Sequence, residues 1–341
     1  MNNLKTAIKT QDHVNIKECE QSPDLQFSSD ALTTQFPFAV YDAFTDIPFS
    51  GSQAAVVLNA SSISHKNRSR IASEIGYPAT SFVNTVDRNQ ITAQFFSTVM
   101  ELPMCGHGTV CLVTNLVESG LLPCENYDWH EAILILKNTK ARVEYRRNSK
   151  ARIEVMLDVK SAKFTAANLN FTELAQILSI DNKDYSVNLE PKISTADFIH
   201  LCLPMRDLKA MKSLEPDFTA LAKFCVSNGL ETVATFTTQV EESSQDIHVR
   251  DFCPAVGVNE SAAAGTTNAA LAHYLLHNGI VSPSDMTNKV TVKSEQGIEL
   301  NRPSKIRTIL TTSDDQISRS QVGGVATLIL NGWLNAGILS E

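Results

Sequence analysis

The stretch Cys105-Gly106-His107-Gly108-Thr109 decides how the rest of this chain is read. It places a thiol, an imidazole and two glycines where a strand, Gln90 to Phe96, gives way to a helix. The residues that follow, Val110-Cys111-Leu112-Val113-Thr114-Asn115-Leu116-Val117, are apolar on nearly every face until Gly120 closes the run. A helix of that kind must lie inside a core. Its first turn then carries free N–H groups and the positive end of the helix dipole into a protected place, beside Cys105 and His107.

A second stretch has the same design. Ala264-Gly265-Thr266-Thr267-Asn268 opens an apolar helix through Ala269, Ala270, Leu271, Leu275 and Leu276 to Gly279. Runs with strand alternation surround both helices: Phe38 to Ala43, Ala54 to Leu58, Thr80 to Thr85, Ala132 to Leu136, Ala141 to Tyr145 and Ile153 to Leu157 in the first half. Phe198 to Leu203, Thr232 to Thr238, Ile247 to Phe252, a run around Val290, Ile306 to Leu310 and Ala326 to Leu330 form the second set. Ser64 predicts an N-cap for a helix through Ile71 and Ile75 with Gly76 at its C′ position. Thr172 to Leu178 and Phe218 to Val226 read as further helices. Two glycine-led helix starts facing one cleft would hold a carboxylate or another anion between them.

The 341 residues suggest two domains, 36–165 and 166–341, with the final strands able to pack back on the first domain; 1–35 reads as a flexible N-terminal extension. With 43% apolar and 19% charged residues the chain is of ordinary globular composition. Its 37 acidic and 29 basic residues, a net charge of −8 without a Lys/Arg cluster, argue against nucleic acid or an anionic membrane as partner. Seven scattered cysteines without a C-x-x-C pair read as free thiols. With no hydrophobic leader and no spanning run, a cytoplasmic location is expected. His273 and His277 have i, i+4 spacing but lack the glutamate of an H-E-x-x-H helix, so no metal is expected. His248, His273 and His277 read as surface or edge positions.

Four landmarks resemble, in order and spacing, the phenazine-biosynthesis isomerase (PhzF-like) family over about Phe38 to Leu334. They are the run from Val40 to Gly51, Glu101 to Thr109, Pro254 to Glu260 leading into Gly265, and Val322-Gly323-Gly324-Val325-Ala326. The resemblance implies an α/β (α+β) protein of the diaminopimelate-epimerase fold: two similar domains, each a curved sheet or barrel around a central helix, with the active site in the cleft between them. It also implies a cytoplasmic homodimer that needs no metal and no organic cofactor and moves protons on small carboxylic acids. The family's histidine falls on His107 and its second-turn hydroxyl on Thr266. Its principal glutamate falls on Ala79 and its aspartate on Ser261. The two-cysteine relatives place one cysteine on Cys105 and the other on Ala264.

A methyl group cannot carry a proton, so the chemistry expected of this chain must run mainly from Cys105, His107 and Thr266. Cys105 sits where a helix N-terminus and a histidine lower a thiol pKa, or is a small buried residue filling a turn. His107 has the near-neutral pKa of a general acid or base, or only positions the substrate. Thr266 donates a hydrogen bond to substrate or caps its helix. Gly106, Gly108, Thr109, Ser261, Gly265 and Thr267 are the expected substrate-binding positions, with Ser261 either a donor or a solvated turn residue. Glu101 either orients His107 or points away from the cleft, and Asp42 and Asp46 read as structural turn residues. The leading expectation is a cofactor-independent isomerase using one base, His107 or Cys105. The alternatives are a catalytically degenerate small-molecule-binding or scaffold protein, and a one-base dehydratase.

Overall fold

The computed structural model describes residues 35–314 and 316–336; of the expected N-terminal extension, 1–35, all but Gln35 lies outside them, and Gln35 opens the first strand. In the first half the order is β1 (Gln35–Ala43), β2 (Ser52–Val57), α1 (His65–Ile75), β3 (Ala79–Asp87), β4 (Gln90–Phe96), β5 (Glu101–Leu102), α2 (Gly106–Glu118), β6 (His130–Ile135), β7 (Lys140–Arg147), β8 (Ile153–Val159) and β9 (Lys163–Ala166). The second half runs α3 (Phe171–Ile177), β10 (Lys192–Thr195), β11 (Ile199–Pro204), α4 (Leu208–Lys212), α5 (Phe218–Ser227), β12 (Thr232–Thr237) and β13 (Ile247–Cys253). It ends with β14 (Val258–Ser261), α6 (Gly265–His277), β15 (Lys289–Gln296), β16 (Ser304–Ser313) and β17 (Gln316–Asn335).

Strand pairing closes a barrel around α2. β1 pairs with β2, β2 with β3, β3 with β4, β4 with β6, β6 with β7, β7 with β8, β8 with β17, and β17 returns to β1. Val110 to Val117 are buried on every face of α2, against Tyr41, Val56, Phe95, Val143 and Val155 of the barrel wall. Each fully buried leucine there, Leu112 and Leu116, contributes about 1.5–3 kcal/mol. The same continuous sheet carries on through β10 to β13, β15 and β16, which pack against α6. Leu271, Tyr274 and Leu275 meet Phe236, Val249, Val292 and Leu310. The period-two alternation of β11 and β12 sends Cys202, Ala234 and Phe236 to α6, while Leu201, Leu203 and Val233 face the opposite side. α3, α4 and α5 cover that outer face. This is the α+β, epimerase-like architecture the resemblance implies.

Several elements differ from expectation. The last strand runs twenty residues rather than five, because β17 pairs in turn with β16, β8 and β1 and so gains partners for its polar residues. It can run close to β8 only as glycine: a methyl on Gly323 would stand 1.8 Å from the Val155 carbonyl oxygen. β9, β10 and α4 have too few residues to show a period. The helix after Ser64 forms as read, with the Ser64 hydroxyl accepting from the Asn67 N–H and Gly76 left-handed at φ 77°.

His248 and His273 overturn their assignment to the surface, for both are fully buried. His248 Nδ1 lies 2.8 Å from Glu295 and Nε2 2.9 Å from Glu299. With carboxylates on both nitrogens the ring is an imidazolium, and the two glutamates outweigh burial to push its pKa up to about 9. His273 donates from Nδ1 to the Ala269 carbonyl at 2.8 Å and accepts the Ser320 hydroxyl at Nε2, 2.6 Å away. That arrangement fixes its tautomer and stitches α6 to β17. His277 is exposed.

Candidate functional site

The two helix starts meet. A methyl group built on Gly106 would stand 3.9 Å from the Gly265 Cα, so the first turns of α2 and α6 face each other across a gap that side chains would fill. Their leading amides, those of Gly106, His107, Gly265 and Thr266, lie outside the helix ladders. Both dipoles direct positive potential into the gap. Phe44 and Val322 close one side, 3.7 and 3.3 Å from where a Gly265 methyl would lie.

The α2 start is self-capped. Cys105 is extended at φ −147°, its Sγ accepts the Gly108 N–H at 3.4 Å, and the Thr109 hydroxyl donates to the Cys105 carbonyl at 2.8 Å. Gly108 leaves no room for more, because a methyl there would meet Cys105 Sγ at 3.0 Å and the Phe95 ring at 3.1 Å. Thr109 is fully buried with its hydroxyl committed to the turn.

Cys105 and His107 correct the expected pKa pattern. Burial pushes the Cys105 thiol up to about 12 despite the Gly108 amide, so its resting form is the thiol and not a thiolate. Burial also pushes His107 down to about 4, making it a neutral imidazole at pH 7. Cys105 Sγ lies 3.5 Å from Nδ1 and 3.6 Å from Nε2. A sulfur equally far from both nitrogens lies in the plane that bisects the line between them, off the lone-pair direction of either, so the two residues touch without forming a thiolate–imidazolium pair. Glu101 points away: it bonds His65 at 2.8 Å, Gln94 at 2.8 Å and Lys137 at 3.5 Å. Asp42 does hold its turn, accepting the Phe49 N–H and the Arg302 guanidinium, each at 2.7 Å.

On the α6 side no side chain of the N-cap residue, Ala264, can cap the helix. Gln296 of β15 does that work, accepting the Ala264 N–H at 3.3 Å and donating to the Ser261 carbonyl at 2.7 Å. Thr266 is half-buried at the gap and is not the cap. Thr267 is buried and its hydroxyl donates to Asp251 Oδ2 at 3.0 Å. Ser261 ends β14, half-buried, directly across the ladder from Asp251. Ala79 is fully buried at the head of β3.

Asp251 and Gln296 were not singled out from the sequence. The available signal for Asp251 is a charged residue inside Ile247 to Cys253, a strand buried along its whole length. Cavities of about 510, 400 and 580 Å³ lie elsewhere, beside Trp333 and Glu118, beside Arg68, and beside Arg250. Among the described residues no three His, Cys, Asp or Glu side chains cluster to hold a metal, and no helix is long and apolar enough to cross a membrane.

The model of the family described as phenazine biosynthesis-like protein matches residues 41–332. An uncharacterized isomerase of Escherichia coli, YddE, is 26% identical over 290 residues, covering 85% of this chain and 95% of that protein. The trans-2,3-dihydro-3-hydroxyanthranilate isomerase of Pseudomonas chlororaphis is 25% identical, covering 84% and 95%. The crystal structure of a Bacillus anthracis PhzF-family protein superposes with a TM-score of 0.79 at 21% identity, covering 88% of this chain and 99% of that one. A hydroxyproline epimerase from Agrobacterium vitis shares the fold at a TM-score of 0.57 and 11% identity, over 91% and 96%. With the family model matched over most of its length and the paired glycine-led helix starts in place, the chain belongs to the phenazine biosynthesis-like protein family.

Proposed function

We propose that this protein is a cofactor-independent isomerase that moves a proton on a small carboxylic acid, with His107 as the single base. The observation that carries the reading is the opposition of Gly106 and Gly265 at two helix N-termini. A carboxylate seated there receives N–H donors from both halves, and the same donors stabilise the negative charge that develops as the adjacent C–H loses its proton. A bound anion also raises the basicity of a neighbouring imidazole. His107, neutral before substrate arrives, therefore becomes a better proton acceptor when the carboxylate is in place. The C–H proton passes to a His107 nitrogen, its electron pair enters the system conjugated to the carboxylate, and the imidazolium returns a proton to another carbon. Cys105, held as a thiol, packs against the ring, and Thr266 orients the substrate from the opposite helix.

The isomerases among its relatives support this class of reaction, and the family resemblance supports a cytoplasmic homodimer. The competing reading, a protein that binds the acid without turning it over, is favoured by one observation: buried Ala79 leaves no carboxyl at the head of β3. Incubation with trans-2,3-dihydro-3-hydroxyanthranilate, trans-4-hydroxy-L-proline and a panel of amino and hydroxy acids in D₂O, followed by ¹H NMR, separates the two. The isomerase reading expects loss of a carbon-bound proton signal with at least one acid and with none of the corresponding carboxamides. An acid that binds the helix starts and exchanges nothing defeats it.

A further inference from the structure

Position 261 holds a serine where the family resemblance puts an aspartate, yet a carboxyl group lies next to that position. Asp251 faces Ser261 in the antiparallel β13–β14 ladder, so the two side chains stand on one face with Cβ atoms about 4.5–5.5 Å apart. Asp251 is 2% exposed. Its Oδ2 accepts a hydrogen bond from the hydroxyl of Thr267, in the first turn of α6, at 3.0 Å. Its Oδ1 makes no hydrogen bond among the described residues, the nearby Thr232 hydroxyl being engaged with His200 Nδ1 at 2.7 Å. A buried, unpartnered carboxylate oxygen is costly, and a proton on it removes the charge and with it the larger part of that cost.

We propose that Asp251 replaces, from the neighbouring strand, the carboxyl group missing at position 261, and that as a positioning residue behind Ser261 and Thr267 it controls how strongly the α6 start holds a carboxylate. The proposal rests on the proton-transfer reading above, and specifically on anion binding at the paired helix starts. Protonated, Asp251 leaves the positive end of the α6 dipole to the substrate. Ionised, it places a competing negative charge behind the same turn.

The groups around Asp251 leave it as the one that changes charge near neutrality. Burial pushes it up to about 7, helped by Glu260, while the Thr267 and Thr232 hydroxyls pull it down. Glu260 of β14 is committed to Arg250 through paired contacts at 2.9 Å. Cys202 of β11 and Cys253 of β13 face it as thiols, both raised by burial. His200, which bonds Thr232 at 2.7 Å, is pushed down to about 4 by burial and is neutral.

The test is benzoate binding to the full-length protein from pH 6 to pH 8, with benzamide as the neutral control. If only the protonated form of Asp251 admits the anion, Kd rises about tenfold over that range. Asp251→Asn should bind benzoate with no such rise, and benzamide binding should be independent of pH throughout. Wild-type protein with ¹³C-labelled aspartate provides the reciprocal readout without a variant. One carboxyl should titrate near pH 7, and its midpoint should move upward when benzoate is saturating. Benzoate binding with a flat Kd, an unchanged limb in folded Asp251→Asn, or no benzoate-dependent carboxyl titration would overturn the role of Asp251 and leave the carboxylate grip standing. Failure of benzoate to bind at any pH would overturn the grip itself, and the role of Asp251 with it.

Discussion

Replacing His248 with glutamine tests the buried charge network in the second half of the chain. In the native protein the imidazolium lies between Glu295 and Glu299, and Glu295 also accepts the N–H groups of Glu241 and Glu242 at 2.6 and 3.0 Å. The His248 pKa is raised in the folded state, from 6.5 to about 9, so its contribution is complete below pH 6.5 and is lost as pH rises toward 9. A shift of that size corresponds to about 3 kcal/mol, of which about 2 remains at pH 7.5 and about 0.4 at pH 9. His248→Gln removes the cation and leaves two buried carboxylates facing a neutral amide, at a cost of about 3–5 kcal/mol near neutrality. With the cation gone both glutamate pKa values rise, so the variant should gain stability as pH falls from 7 toward 4.5. The assay is urea denaturation of both proteins at unit pH steps from 5 to 9, read by fluorescence and circular dichroism. A wild-type midpoint with no downward limb between pH 6.5 and 9, or a variant within 1 kcal/mol of wild type at pH 6, would refute the imidazolium assignment.

Three glycines give further tests. Gly108→Ala should cost about 1–3 kcal/mol in thermal or urea denaturation, because its methyl meets Cys105 Sγ and Phe95 at 3.0–3.1 Å in a packed turn. Gly106→Ala should leave the melting temperature nearly unchanged, since its methyl makes only an ordinary 3.9 Å contact, yet weaken benzoate binding about tenfold or more by filling the gap between the helix starts. Gly323→Ala should abolish soluble expression or lower the melting temperature by more than either, because its methyl would lie 1.8 Å from the Val155 oxygen.

Residues whose environment is set by their near neighbours were legible in the sequence. The ends of α1 follow from Ser64 and Gly76, and the burial of α2 and α6 follows from helices with no polar face. Residues whose environment comes from distant strands were not. His248 and Asp251 lie in β13, which is covered on both faces, so their charges are satisfied across the sheet, by Glu295 of β15 and by Thr267 of α6. No local period announces partners 47 or 16 residues away. The start of β17, Gln316 to Gln321, lies outside the strand expected over Ala326 to Leu330, because its pairing partners are the distant β16 and β8. At the site, the position of the CysGlyHis turn was legible. Its protonation states were not, because helix position alone lowers a thiol pKa whereas full burial raises it further than the dipole can recover.

In the proposed reaction His107 is the single proton carrier between two carboxylate-gripping helix starts. The most direct measurement is mass-spectrometric counting of deuterium in product during the first turnover in D₂O, for wild type and His107→Ala, with the acid that shows exchange. A single neutral imidazole predicts one exchanging position, partial return of the substrate's own proton to product, and loss of at least about 100-fold in rate for His107→Ala with benzoate affinity largely kept. Exchange at an undiminished rate in His107→Ala would contradict the account.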